Sequence, residues 1–316
     1  MSSEDRARTI GRALAARAGS VTAVDNGWAF ALVNGAKFDA RATLADDWLE
    51  VTVPLASEAE LAPARVWSML RLNGSLDTMS RVAVAPGKRT AHIRAELCVE
   101  ARLLHDDVSL GPRVEALLES VGRGRHAYDE WWLYGQDSVA KAPVSWRGPT
   151  ADFLHLCSEV GWPCVERDGG QWSIAIAEGS SACEAAVGVA DAGPLHFTAN
   201  LVNANGLSFA SRGAIGVLLL GVSAVVRSIK GFAWRDGERE YAGVAAVCGE
   251  PTSGTAIDQS LSALSVAFGM VGREVLALRD EFLAREYLER CASLDERPWS
   301  VDLASDTTME PLATKL

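Results

Sequence analysis

Residues 19–28 read GSVTAVDNGW, and residues 161–172 read GWPCVERDGGQW. Each stretch leaves a short helix-like segment at a glycine, passes through a turn and reaches a Trp that opens an apolar strand. Farther along, Arg94-Ala-Glu-Leu-Cys-Val-Glu100 is echoed by Gly243-Val-Ala-Ala-Val-Cys-Gly-Glu250. The separation grows from 142 residues (Gly19 to Gly161), through 144 (Trp28 to Trp172), to 150 (Cys98 to Cys248). A slowly growing separation is what two copies of one domain with a few loop insertions give. The 316 residues suit two such domains, each large enough to hold a core.

Working outward, residues 5–18 place Ile10 and Leu14 on one face and predict a helix. Strand-like segments 21–24 and 28–33 flank Asp25-Asn26-Gly27, where Asn and Gly tolerate the positive φ of a tight hairpin. Residues 38–44 lead through Asp46-Asp47 to 48–55, in which Leu49, Val51, Val53 and Leu55 alternate. A helix over 60–72, a hairpin of 79–84 with 92–97 around Pro86-Gly87, and a helix over 110–132 complete the first copy. The second copy repeats the order. It ends in the longest predicted helix, 257 to about 288, whose Ile257, Leu261, Leu264, Phe268, Val271, Val275, Leu278 and Phe282 keep a 3–4 spacing. Gly269 and Gly272 interrupt it, and would admit another helix closely. The excess length of this helix is expected to meet the first copy, with 110–131 as its partner, or another chain.

These elements predict an α+β protein: residues 1–134 as a first domain, 135–150 as a Pro-containing linker, 151–292 as a second domain and 293–316 as a mobile acidic tail. Each domain is expected to follow the order α-β-β-β-α-β-β-α, with antiparallel sheets covered by helices and the two copies arranged as a pseudo-dimer. This order, the acidic charge, the hairpins before Trp28 and Trp172 and the paired strands around Cys98 and Cys248 resemble the type III secretion chaperone-like superfamily, which includes the YbjN-like family. The resemblance covers residues 5–134 and 150–290. It implies a polypeptide client and no catalytic residues.

The net charge of −11 argues against nucleic-acid binding and against an anionic membrane surface. The polar N-terminus has no apolar h-region, so no signal peptide is expected. The uncharged apolar run 213–226 is too short to span a bilayer and reads as a buried helix. Six dispersed cysteines without a CxxC pair suggest free thiols in a reducing cytoplasm.

No phosphate loop, HExxH or GxSxG is present, and no enzyme, cofactor or metal is expected. His155, Cys157 and Cys164 are the nearest approach to a ligand set, but i and i+2 on a helix diverge. Cys98 and Cys248 read as equivalent core thiols. The candidate partner-binding residues are Trp131, Trp132, Tyr134 and Trp299. Adjacent helical residues diverge by about 100°, so one of Trp131 and Trp132 faces the core while its neighbour faces the second domain or a partner. The expected function is non-enzymatic binding of a protein or peptide client through a sheet face or edge. Alternatives are a small-molecule or enzymatic pocket between a sheet and the last helix, and self-association through the 257–282 stripe.

Overall fold

Alternating apolar residues decide the strands, and 3–4 spaced ones decide which helices cover them. In the computed structural model the described residues are 3–34, 36–45, 47–55, 63–76, 79–84, 91–99, 107–134, 150–167, 171–178, 181–189, 195–248 and 254–293. The first half runs α1 (Ser3–Arg17), β1 (Ala18–Val24), β2 (Gly27–Asn34), β3 (Ala36–Ala45), β4 (Trp48–Pro54), α2 (Pro63–Ser75), β5 (Arg81–Val84), β6 (Ala91–Cys98) and α3 (Asp107–Tyr134). The second half runs α4 (Ala151–Glu159), β7 (Cys164–Arg167), β8 (Gln171–Glu178), β9 (Ser181–Val189), β10 (Leu195–Asn203), α5 (Phe209–Val225), β11 (Ile229–Asp236), β12 (Arg239–Cys248), α6 (Gly254–Ala277) and α7 (Glu281–Ser293). The α+β class holds. Each half carries one more strand before its second helix than the order α-β-β-β-α-β-β-α, because the two segments on either side of each of its first turns all pair. The expected linker, apart from Thr150, and the tail beyond Ser293 lie outside the described residues.

The two six-stranded antiparallel sheets share one strand order, β1-β2-β3-β4-β6-β5 and β7-β8-β9-β10-β12-β11. Their registers match as well. Trp28 pairs with Ala42, Ala42 with Val51, and Val51 with Ala95. Trp172 pairs with Val187, Val187 with Phe197, and Phe197 with Ala246. The same ladder sets Val82 against Gly231 as equivalents, through their pairings with Ile93 and Val244. It corrects the expected match of Cys98 with Cys248. Cys248 pairs with Leu195 as Leu97 pairs with Leu49, so Cys248 corresponds to Leu97, one residue away. A one-residue slip exchanges the two faces of a strand, so the two cysteines do not hold equivalent strand positions.

In β4 the alternation is realised: Leu49, Val51 and Val53 are fully buried while their neighbours are partly exposed. Helix α3 crosses β2, β4 and β6 beside α1, and α6 crosses β8, β10 and β12 beside α4. The stripe Ile257, Leu261, Leu264, Phe268, Val271 and Val275 is buried on that sheet, each side chain contributing roughly 1.5–3 kcal/mol of burial. By length and composition α6 could cross a membrane, but here this stripe is spent on the core. The single long terminal helix is corrected. It breaks at residues 278–280, where the Asp280 carboxylate accepts from Phe282 N–H (3.0 Å) and Leu283 N–H (3.1 Å) and caps α7. Helix α7 folds back onto α5 of its own half rather than reaching the first copy, and Phe282 is left exposed. Gly269 is exposed, and Gly272 makes room for the ring of Phe268 in its own helix, 3.0 Å from where a Cβ would sit.

The halves meet through their second helices. Helix α2 packs on α5 and on edge strand β11, while α5 packs on edge strand β5. Contact is close: a Cβ on Gly74 would lie 2.2 Å from the Ala233 carbonyl oxygen, and one on Gly216 would lie 2.6 Å from Val66 Cγ1. The two inner edges are closed by side chains at matching places. Asn73 Oδ1 accepts the Val82 N–H (2.7 Å), and Ser223 Oγ accepts the Gly231 N–H (2.7 Å). Asn73 Nδ2 also donates across the interface to Gly231 O (2.8 Å). The two sheets therefore remain separate, with the second helices between their inner edges, and the apolar core runs continuously through both halves.

Candidate functional site

Three places gather polar chemistry: the C-terminal end of α3, the charged seam between the halves, and a cleft beside that seam. At the end of α3, Tyr128, Trp131 and Trp132 form one aromatic group. Tyr128 and Trp131 lie with ring centroids 5.4 Å apart, and Trp132 stacks on Tyr128 at 6.1 Å. The helical divergence expected of adjacent residues is realised: Trp131 is 4% exposed and Trp132 is 45% exposed. Trp131 sits in the core around α3, and Arg65 of α2 lies 4.9 Å above the ring of Trp132. Tyr128 Oη and Trp131 Nε1 are both buried and have no hydrogen-bond partner among the described residues. Two orphaned donors on neighbouring rings are unusual, since each costs about 1–3 kcal/mol. Burial raises the Tyr128 phenol above its ordinary pKa, so it stays a donor. Tyr134 ends α3, with its side chain outside the described residues, and Trp299 lies wholly outside them.

The seam was not visible in the sequence as a site. Arg81 on β5 is 1% exposed and Glu96 on β6 is 6% exposed. Glu96 accepts from Arg81 Nη2 (2.9 Å), from Arg94 Nη2 (2.5 Å) and from the Ser228 N–H of the second half (2.6 Å). Arg94 also pairs with Glu50 (2.9 Å), which leaves this network with two cations and two carboxylates. Burial pushes the Glu96 carboxyl up, but Arg81, Arg94 and the Ser228 N–H reverse this and hold it below the usual range. Burial lowers Arg81. The register makes Arg81 the equivalent of Lys230, and both are buried cations that cross the seam. Arg81 Nε donates to Ser223 O near the end of α5 (2.8 Å), and Lys230 Nζ donates to Leu76 O just past α2 (2.9 Å). Each cation thus meets open carbonyls at the negative end of the opposite half's helix. A second buried carboxylate, Glu240, accepts from Arg71 Nε (2.6 Å) and Trp67 Nε1 (3.1 Å) of α2 and lies 3.6 Å from Arg212 of α5. Burial pushes Glu240 up, and these donors bring it below the ordinary range. One signal was legible: Arg94 and Glu96 alternate with apolar Ile93, Ala95 and Leu97, so β6 has one charged face.

Beside the seam lies a cleft of about 180 Å³, lined from both halves. Its walls include the equivalent pairs Met79 and Ser228, Glu96 and Val247, and Leu97 and Cys248, so it straddles the pseudo-twofold. Ser228 takes φ +60 without being glycine. That conformation aims its N–H at Glu96 and sets Arg227 with its guanidinium carbon 5.6 Å above the ring of Trp48. Arg113 of α3 and Gln259 of α6 complete the polar lining. Elsewhere, His155 is exposed beside Glu159, while Cys157 is buried against Cys164. Among the described residues no group of three or more His, Cys, Asp or Glu is placed to hold a metal ion. No family model matches the chain, and neither a curated protein nor a solved structure does.

Proposed function

We propose that the chain is a non-enzymatic, chaperone-like or regulatory protein that binds an extended polypeptide segment at the C-terminal end of α3. The observation that carries this reading is the pair of orphaned buried donors, Tyr128 Oη and Trp131 Nε1, beneath the exposed ring of Trp132. An incoming backbone offers carbonyl acceptors at regular spacing, and an aromatic or aliphatic side chain of that segment stacks on Trp132. Rotation of Trp132 off Tyr128 opens the donors, and Arg65 favours an acidic residue nearby. The outer strands of both sheets support the same reading. Val24 on β1 and Val165 on β7 are exposed on edges that face away from the seam, and such edges accept an added strand. The resemblance to secretion chaperone-like proteins supplies the class of partner.

The test is affinity capture from native lysate with the wild-type chain and with Trp132→Glu, read by quantitative mass spectrometry. A stoichiometric protein retained by the wild type and lost with Trp132→Glu is expected. Absence of any stoichiometric partner, or equal retention by both, refutes the reading.

A further inference from the structure

We propose that Cys157 and Cys164 form a modification site, a dithiol that a hydroperoxide closes to a disulfide joining α4 to edge strand β7. The path of the chain brings the two sulfurs together. Cys157 lies on the inner face of α4, one turn after Phe153, and is 0% exposed. The helix then ends in a closed turn. Gly161 takes φ +84, its N–H donates to Ser158 O (3.1 Å), and the Trp162 N–H reaches back to Cys157 O (2.8 Å). Trp162 Nε1 is held in turn by the Asp258 carboxylate of α6 (2.8 Å). This reversal lays Cys164, the first residue of β7, against the last turn of α4, where the two thiols share a hydrogen bond. A disulfide forms without backbone movement only between cysteines that already face each other at close range, and these two do.

Packing alone does not ask for sulfur here. Through the matching ladders Cys164, opposite Ile174, corresponds to Val21, opposite Phe30, and the first half has no cysteine before Cys98. The two thiols also differ in access. Cys164 is only partly buried, on an outer edge strand, so a small oxidant reaches it, whereas Cys157 is enclosed. The hydrogen bond from the Cys157 thiol favours the Cys164 thiolate, the form that reacts. That thiolate attacks the peroxide: an S–O bond forms, the O–O bond breaks, and the departing hydroxide takes up the proton that Cys164 released. The Cys157 sulfur then attacks the sulfenic sulfur, an S–S bond replaces the S–O bond, and water leaves with the Cys157 proton. Two thiols are oxidised, and one hydrogen peroxide is reduced to two waters. A dithiol reductant reverses the bridge. The site is separate from the α3 aromatic group and does not rest on polypeptide binding there.

Treating the full chain with hydrogen peroxide, blocking the remaining thiols with maleimide and mapping the peptides by mass without reduction tests this. Cleavage after Glu159 separates the two cysteines, so a bridge between them shows as two joined peptides. Loss of both free thiols into one Cys157–Cys164 bridge is expected, with their recovery by dithiothreitol. In Cys157→Ser, whose hydroxyl still donates to Cys164, the sulfenic acid persists and dimedone marks Cys164. In Cys164→Ser, Cys157 stays a thiol. The wild-type map needs no substitution, so it decides even where a variant fails to fold. Peroxide treatment that leaves both thiols free, that bridges Cys157 to its neighbour Cys248 instead, or that lets dimedone mark Cys157 in Cys164→Ser overturns the proposal.

Discussion

Glu96→Gln is the most informative single change, because it removes one charge and almost no volume. In the wild type, Glu96 Oε2 receives Arg81 Nη2 and the Ser228 N–H, and Oε1 receives Arg94. An amide has only one acceptor atom. Turned either way, its NH2 faces donors: Arg81 and Ser228 on one side, or Arg94 on the other. Arg94 keeps Glu50, whereas Arg81 is 1% exposed and, among the described residues, retains only the Ser223 carbonyl. A buried charge stripped of its partner costs about 3–5 kcal/mol. Equilibrium urea unfolding at pH 7, followed by Trp fluorescence, should show that loss. The double variant Arg81→Met with Glu96→Leu should recover most of it, since a buried ion pair and an apolar pair of similar size are nearly equal. The residue of the loss is the Ser228 N–H, left without an acceptor at about 1–3 kcal/mol. A single-variant loss below about 1 kcal/mol, or a double variant no more stable than the single, would refute the claim that Glu96 neutralises a buried cation.

Acidification provides a second test of the seam. Glu96 and Glu240 both have folded pKa values depressed below their unfolded ones. Their contribution is therefore full above the ordinary Glu value of about 4.3 and is lost as pH falls below it. The urea midpoint should be flat from pH 7 to 5 and fall on further acidification; a midpoint that rises instead contradicts the assignment. Gly74→Ala should cost about 1–3 kcal/mol by forcing α2 off β11, whereas Gly221→Ala, with nothing within 4 Å of its Cβ position, should stabilise α5 by about 0.5–1 kcal/mol. Equal effects at the two glycines in thermal melts would show that the inter-half contact is looser than described. Cys164 accepts a hydrogen bond from Cys157, which holds its thiol below the ordinary range, while burial pushes Cys183 up to about 11. Iodoacetamide labelling mapped by peptide mass should therefore modify Cys164 before Cys183. Cys157→Ala should remove that lead, and labelling of Cys183 first would exclude it.

Local signals carried the strands well. In the first hairpin Asn26 takes φ +58, as Asn before Gly suggests, and the period-two run of Leu49, Val51 and Val53 became the buried face of β4. The adjacent Trp131 and Trp132 parted as helix geometry requires. What escaped reading is long-range. Arg81 and Glu96 look like surface residues because burial of a charge depends on partners distant in the chain, here Ser223 and Ser228. The break between α6 and α7 escaped because the 3–4 spacing continues through it; only Asp280, a capping residue in mid-pattern, betrays the new N-terminus. The Cys98 and Cys248 match failed because similarity of letters does not fix register to one residue, whereas strand pairing does.

Joining the two halves in one chain has a chemical consequence at the cleft. When identical subunits associate about a twofold, whatever one contributes at the axis the other must contribute again. A Glu at position 96 would then confront a second Glu, and any molecule lodged between them would see the same wall from either end. Here Val247 stands where that second Glu would be, and Cys248 stands opposite Leu97. The enclosure consequently has a head and a tail. It can seat an unsymmetrical guest in one direction, once per polypeptide, which no assembly of equal copies can do at its own centre.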